Sequence, residues 1–185
     1  TEPIAENSRR FRQLGLGYAN LGALLMALGY AYDSPEGRAW AAALTSLMPG
    51  HAYATSARTA ARLGAFEGYA ENAEHMNRVL EMHRDASYEI EMTEIVPNDL
   101  VAAGQASWEA AVRDGALNGV RNSQASVLAP TGTIGLMMDC DTTGIEPDRG
   151  LVKMTKLVGG GTMQIVNQTI PRALSRLGYT AQQAD

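Results

Sequence analysis

The hydrophobic period of this chain changes once, near residue 119, and that change restricts it to a mixed α/β architecture with its helices first. Up to residue 118 apolar residues recur at helical intervals. After a turn at Gly15 and Gly17, Leu21, Leu24, Leu25 and Leu28 form one stripe. Ser34-Pro35-Glu36-Gly37 reads as a helix start, with Ser as N-cap and Pro in the first turn. The helix that follows carries Trp40, Leu44, Leu47 and Met48 on one side. Pro49-Gly50 is expected to kink or end it, and Ala52 to Leu63 resumes helical composition up to Gly64. A third helical segment starts near Asn72 and places Met76, Val79, Leu80 and His83 on one face; a fourth runs from Pro97-Asn98-Asp99 through Val101, Trp108 and Val112 to about Leu117.

Beyond residue 119 the pattern is strand-rich. Gln124 to Leu128 reads as a short strand, and Thr133 to Met138 as a short helix. Leu151 to Val158 and Thr162 to Val166 read as strands of a hairpin around Gly159-Gly160-Gly161. Asn167 to Leu177 is a helix with Pro171 early in it, and Tyr179 to Gln183 begins another. Helices first and few strands later cannot close a sheet unaided. With Thr rather than Met at position 1, the chain is expected to be an internal segment of a longer protein.

Charge and cysteine usage narrow the function. A net charge of −5 argues against a groove that binds nucleic acid by neutralising phosphates, but a few backbone donors can still hold one small phosphorylated substrate. The lone Cys140 excludes an internal disulfide and suits a reducing, cytoplasmic location. Residues 1–15 are polar, with Arg9, Arg10 and Arg12, and do not form a secretory signal; no apolar run is long enough to span a bilayer.

Several motifs have ordinary explanations. Gly15-Leu16-Gly17 lacks the third glycine and the preceding strand of a dinucleotide fingerprint. Asp139-x-Asp141-x-Thr143-Gly144 imitates half a calcium loop, but Gly150 stands where the bidentate Glu belongs. His51, His75 and His83 sit singly on helices, which favours structural or surface roles over metal binding. The turn Ala129-Pro130-Thr131-Gly132-Thr133-Ile134 is different, because it leads from an extended stretch into a helix start. There Pro130 fixes its backbone, Gly132 is expected to take a conformation closed to other residues, and the hydroxyls of Thr131 and Thr133 lie beside unpaired N–H groups. On geometry alone an ordinary capped turn remains the commoner reading.

The wording around that turn resembles the vitamin B12-dependent (class II) ribonucleotide reductases. The resemblance is carried by Val127-Leu128-Ala129-Pro130-Thr131-Gly132-Thr133-Ile134-Gly135 and Asp141-Thr142-Thr143-Gly144-Ile145-Glu146-Pro147. Leu14-Gly15-Leu16-Gly17-Tyr18-Ala19-Asn20-Leu21-Gly22-Ala23-Leu24-Leu25-Met26, Tyr32-Asp33-Ser34-Pro35-Glu36-Gly37-Arg38-Ala39, Tyr53-Ala54-Thr55-Ser56-Ala57, Leu63-Gly64-Ala65-Phe66 and Lys156-Leu157-Val158-Gly159-Gly160-Gly161 extend it over almost the whole chain. It implies a segment of a ten-stranded α/β barrel, with residues 1–185 part of one catalytic barrel domain: a helical portion over 1–118, then strand, phosphate loop, hairpin and helix. It also implies reduction of ribonucleotides, with the wording leaning toward diphosphates, by a thiyl radical that adenosylcobalamin generates. A thioredoxin-like reductant is implied, and a homodimer is compatible.

Residue by residue, the resemblance assigns substrate-phosphate binding to Ala129, Pro130, Thr131, Gly132, Thr133 and Ile134, through backbone N–H groups and the Thr131 and Thr133 hydroxyls. The family's Asn-x-Cys-x-Glu constellation and its redox cysteine pair are absent from this sequence, and Cys140 matches neither. The catalytic cysteines are therefore expected outside the segment, upstream of Thr1 and beyond Asp185, and no cobalamin contact is assignable within it. The alternatives are a non-catalytic nucleotide- or phosphate-binding module and a purely helical interaction domain.

Overall fold

Helical periodicity in the first 118 residues becomes a run of packed helices in the computed structural model, which describes residues 1–91, 94–156 and 159–184. They are α1 (Glu2–Phe11), α2 (Leu21–Leu28), α3 (Pro35–Leu63), α4 (Tyr69–Tyr88) and α5 (Asn98–Asn118). There follow α6 (Gly132–Met137), the strands β1 (Val152–Lys156) and β2 (Thr162–Val166), then α7 (Ile170–Arg176) and α8 (Ala181–Ala184). The chain divides into two units, one of residues Thr1–Gly17 and Ala39–Val127, the other of Tyr18–Arg38 and Leu128–Asp185.

The first unit is built on the apolar faces of α3, α4 and α5. Its core joins Tyr53, Ala54 and Ala57 of α3, Met76 and Leu80 of α4, and Trp108 and Ala111 of α5, with Phe66, Val120 and Ala125 from the connections. Pro49-Gly50 neither ends α3 nor divides it in two. A proline there removes one helical hydrogen bond, and Gly50 shows what the dipeptide allows. A Cβ at Gly50 would lie 3.0 Å from Cδ1 and Nε1 of Trp108, so the bare glycine lets the indole rest against the helix backbone. The His83 ring stacks on the same indole at 5.0 Å, and partial burial lowers its pKa. A smaller cluster joins Ala43 to Val96 and Val101.

The polar residues 2–11 form α1, none of whose residues is buried; the helix is tied down at its end, where Phe11 meets Phe66 at 6.0 Å. The expected strand over Gln124–Leu128 reduces to a single parallel bridge, Leu16 with Ser126. Its partner is the short stretch Leu14–Leu16, which donates from Leu14 N–H to Gln124 O and from Leu16 N–H to Ala125 O. Val127 N–H returns a bond to Leu16 O, but a neighbour of three residues is too short to make a ladder.

In the second unit α2 packs on α7, and Leu21, Ala23 and Leu25 of α2 are buried. Ser34 caps α3 as its position implies, its Oγ accepting the Gly37 N–H at 3.0 Å. The hairpin is antiparallel, with Val152 opposite Val166 and Lys156 opposite Thr162. Gly159, Gly160 and Gly161 all have positive φ, 97°, 98° and 93°, which only glycine adopts readily. Leu157 and Val158, expected in the first strand, lie outside the described residues. The region after residue 120 is thus less strand-rich than its sequence pattern: among the described residues its sheet is this one hairpin, a mixed helical segment without a closed barrel. No described helix is long and apolar enough to cross a membrane.

Candidate functional site

Thr131 starts α6 as its N-cap and takes the left-handed conformation, φ 52° and ψ 37°. That is a correction: the conformation expected of Gly132 belongs to its neighbour, and Gly132 has ordinary helical sign. For a β-branched residue this conformation costs about 1–3 kcal/mol and needs compensation. The compensation is visible. The Thr131 hydroxyl donates to Pro130 O at 2.8 Å and accepts the Gly144 N–H at 2.9 Å.

The first bond inside α6 runs from Gly135 N–H to Thr131 O at 2.7 Å. The N–H groups of Gly132, Thr133 and Ile134 therefore precede any carbonyl the helix can offer them. Gly132 faces open space, with no atom within 4 Å of where a Cβ would stand. Beside it opens a cleft of about 260 Å³, walled by Pro130 and Gly132 from one stretch of chain and by Thr142, Thr143, Glu146 and Lys153 from later ones.

That second wall is anchored from behind. Thr142, 1% exposed, donates from its N–H to Asn20 Oδ1 at 3.1 Å, and its hydroxyl accepts the Ala23 N–H at 3.2 Å. Tyr32 donates its hydroxyl to Ile145 O. Glu146 accepts from Thr143 Oγ1 and from Arg149, both at 3.3 Å. The carboxylate of Asp141, read in sequence as part of a false calcium loop, accepts from Gln168 N–H and from the Thr169 hydroxyl at the start of α7. Cys140 is a free thiol whose N–H donates to Gly135 O at 2.9 Å.

Lys153 shares the cleft with a second cation, Arg149. Its ammonium donates to Asp141 O at 2.7 Å and pairs with Asp148 at 2.7 Å. Burial works against ionisation of Asp148, whose side chain is 6% exposed, but hydrogen bonds from Lys153, Asn167 and the Gly150 N–H outweigh it and hold the carboxyl below the ordinary carboxylate range. A lowered carboxylate pKa contributes stability that is complete above about pH 3.8 and is lost as pH falls through the lowered value. Lys153→Met should therefore cost about 1–2 kcal/mol at neutral pH, less than the 3–5 of a fully buried pair, because Lys153 keeps 31% of its exposure. Urea unfolding between about pH 7 and pH 3 should show the gap to the unsubstituted protein narrowing at the acid end; a constant gap would contradict the assigned pairing.

The structure brings Ala129–Ile134 together at one turn beside this cleft. Sequence reasoning missed Lys153, Asn20 and the Thr131–Gly144 contact, because each joins residues far apart in the chain. The three histidines stand apart on α3 and α4.

A family model described as "Ribonucleotide reductase, barrel domain" matches residues 1–185. The chain is 58% identical over 185 residues to a vitamin B12-dependent ribonucleotide reductase of Streptantibioticus cattleyicolor, covering 100% of this chain and 31% of that protein. A protein of the same description from Bradyrhizobium diazoefficiens is 53% identical over 193 residues, covering 97% of this chain and 15% of its own. A vitamin B12-dependent ribonucleoside-diphosphate reductase of Mycobacterium tuberculosis is 28% identical over 176 residues, covering 95% and 19%. The chain thus spans less than a third of the length of these relatives.

Proposed function

Because this chain belongs to the barrel-domain family of ribonucleotide reductases, we propose that it is part of an enzyme reducing ribonucleotides, as diphosphates, to 2′-deoxyribonucleotides. The observation carrying the reading is identity of 50–58% with relatives named as vitamin B12-dependent reductases across 97–100% of the chain. Residues 1–185 form part of one catalytic domain, a ten-stranded barrel when complete. The relatives' names imply adenosylcobalamin, which when bound would supply radical chemistry to the complete protein. The described residues do not assemble a donor set for it: the histidines stand singly and Cys140 is the lone thiol. Their part is to bind and orient the substrate.

Ala129, Pro130, Thr131, Gly132, Thr133 and Ile134 form the substrate-phosphate loop. The N–H groups of Gly132, Thr133 and Ile134, with the Thr133 hydroxyl, hold phosphate oxygens, and the start of α6 favours their negative charge. The backbone at Thr131 sets the loop's direction. Fixing the phosphates fixes the ribose, which places its reacting hydrogen for abstraction and can lower the barrier by several kcal/mol. Catalytic cysteines and a thioredoxin-like reductant complete the reaction outside this segment. The test is direct. The full-length protein, given CDP, adenosylcobalamin and dithiothreitol, is expected to yield dCDP; absence of product from folded, cofactor-loaded protein would overturn the reading.

A further inference from the structure

The cleft beside Gly132 has two walls drawn from separate stretches of sequence, and the residues that join those walls are not among those lining it. We infer that Thr131 and Gly144 are positioning residues for the nucleotide: a hydroxyl latch and a bare Cα that fix the spacing of the Pro130–Gly132 wall against the Thr142–Glu146 wall. The inference rests on the reading of this cleft as the substrate-phosphate site.

Thr131 has one hydroxyl proton, and it goes to Pro130 O; the oxygen accepts the Gly144 N–H. The side chain is turned inward and spends its proton on the loop itself, so a ligand in the cleft meets the backbone that the hydroxyl has shaped. The left-handed backbone is adopted at Thr131 although glycine stands next to it. A residue with no hydroxyl there would bear the same strain with nothing to offset it.

Gly144 meets the loop more closely than any side chain allows. Its φ is +49°, and a Cβ would lie 2.7 Å from Ala129 O, 3.1 Å from Pro130 O and 3.2 Å from Pro130 Cα. All three are backbone atoms and cannot swing aside. The wall behind cannot retreat either. Thr142 is bonded to Asn20 and Ala23, and Gly22 abuts it so closely that a Cβ there would stand 2.8 Å from Thr142 Cγ2 and 2.9 Å from Glu146 O. Bulk added at Gly144 must therefore displace Ala129 and Pro130, which lead directly into the phosphate donors at Gly132, Thr133 and Ile134.

Steady-state kinetics of the full-length protein with CDP test this, with thermal unfolding measured alongside. Thr131→Val keeps the shape and removes the latch; it should raise KM about tenfold with a much smaller change in kcat. Thr131→Ser, which keeps the hydroxyl, should recover most of that loss. Gly144→Ala should raise KM by at least as much. If Gly144→Ala does not fold, the isosteric Thr131→Val carries the test alone. Lowered melting temperatures with KM unmoved would make both residues merely structural and overturn the inference. Gly132→Val separates the two claims. A raised KM in that variant with none in Thr131→Val sinks the latch alone, whereas KM unmoved in Gly132→Val removes the cleft as the substrate site and the latch's role with it.

Discussion

Trp108→Ala should destabilise the protein by about 3–5 kcal/mol, the usual range for deleting a large aromatic from a packed core. Trp108 is 2% exposed and lies between α3 and α4. Tyr53 meets it at 5.9 Å and His83 stacks on it at 5.0 Å. Its third neighbour cannot move in to fill the space, because Gly50 has no side chain and presents helix backbone. The cavity would persist, and a persisting cavity is what sets the upper part of the range. For a domain whose whole stability is on the order of 5–15 kcal/mol, that loss is a large fraction. Leu117→Ala on the same helix makes the comparison: Leu117 is 77% exposed, and its truncation should cost about 0.5 kcal/mol or less. Denaturant unfolding of the two variants decides it, and a Trp108→Ala loss under about 1 kcal/mol would show that the core re-forms around the gap.

The same core shows what was legible in the sequence. Met76, Leu80 and Trp108 were readable as buried from helical spacing alone, because the energy that places them comes from one continuous face. The Ser34 cap was readable because its partner is three residues away. What was not readable depended on partners distant in sequence. Residues 2–11 carry local helix signals, Glu2 and Pro3 in the first turn and Arg9 and Arg10 in the last, but the contact that anchors them, Phe11 on Phe66, is distant in sequence. Gln124–Leu128 has the composition of a strand but only Leu14–Leu16 beside it. At the site, local rules favour Gly132 for the left-handed position, yet a hydrogen bond from Gly144, thirteen residues on, places it at Thr131. The turn into α6 was thus legible and its internal geometry was not.

Gly132→Val should lower kcat/KM for CDP in the full-length protein by about 100-fold, most of it in KM, while leaving the fold intact. The two halves of that expectation have separate physical causes. Stability should hold because no atom lies within 4 Å of the new Cβ and Gly132 does not occupy the left-handed region. Valine also has a higher helix propensity than glycine, so the first turn of α6 is not weakened. The melting temperature is expected to move by no more than about 2 °C. Binding should fail because the space that makes the substitution harmless to the fold is the space beside the Gly132, Thr133 and Ile134 N–H groups. Two methyl groups there keep phosphate oxygens beyond hydrogen-bond distance, and a nucleotide displaced by about 1 Å no longer presents its ribose hydrogen correctly. Gly132→Ala should fall between, since a single Cβ occupies less of the opening. A graded loss from Gly to Ala to Val at constant melting temperature is the signature of an occupied binding space. Equal kinetics across the series would place the phosphates elsewhere.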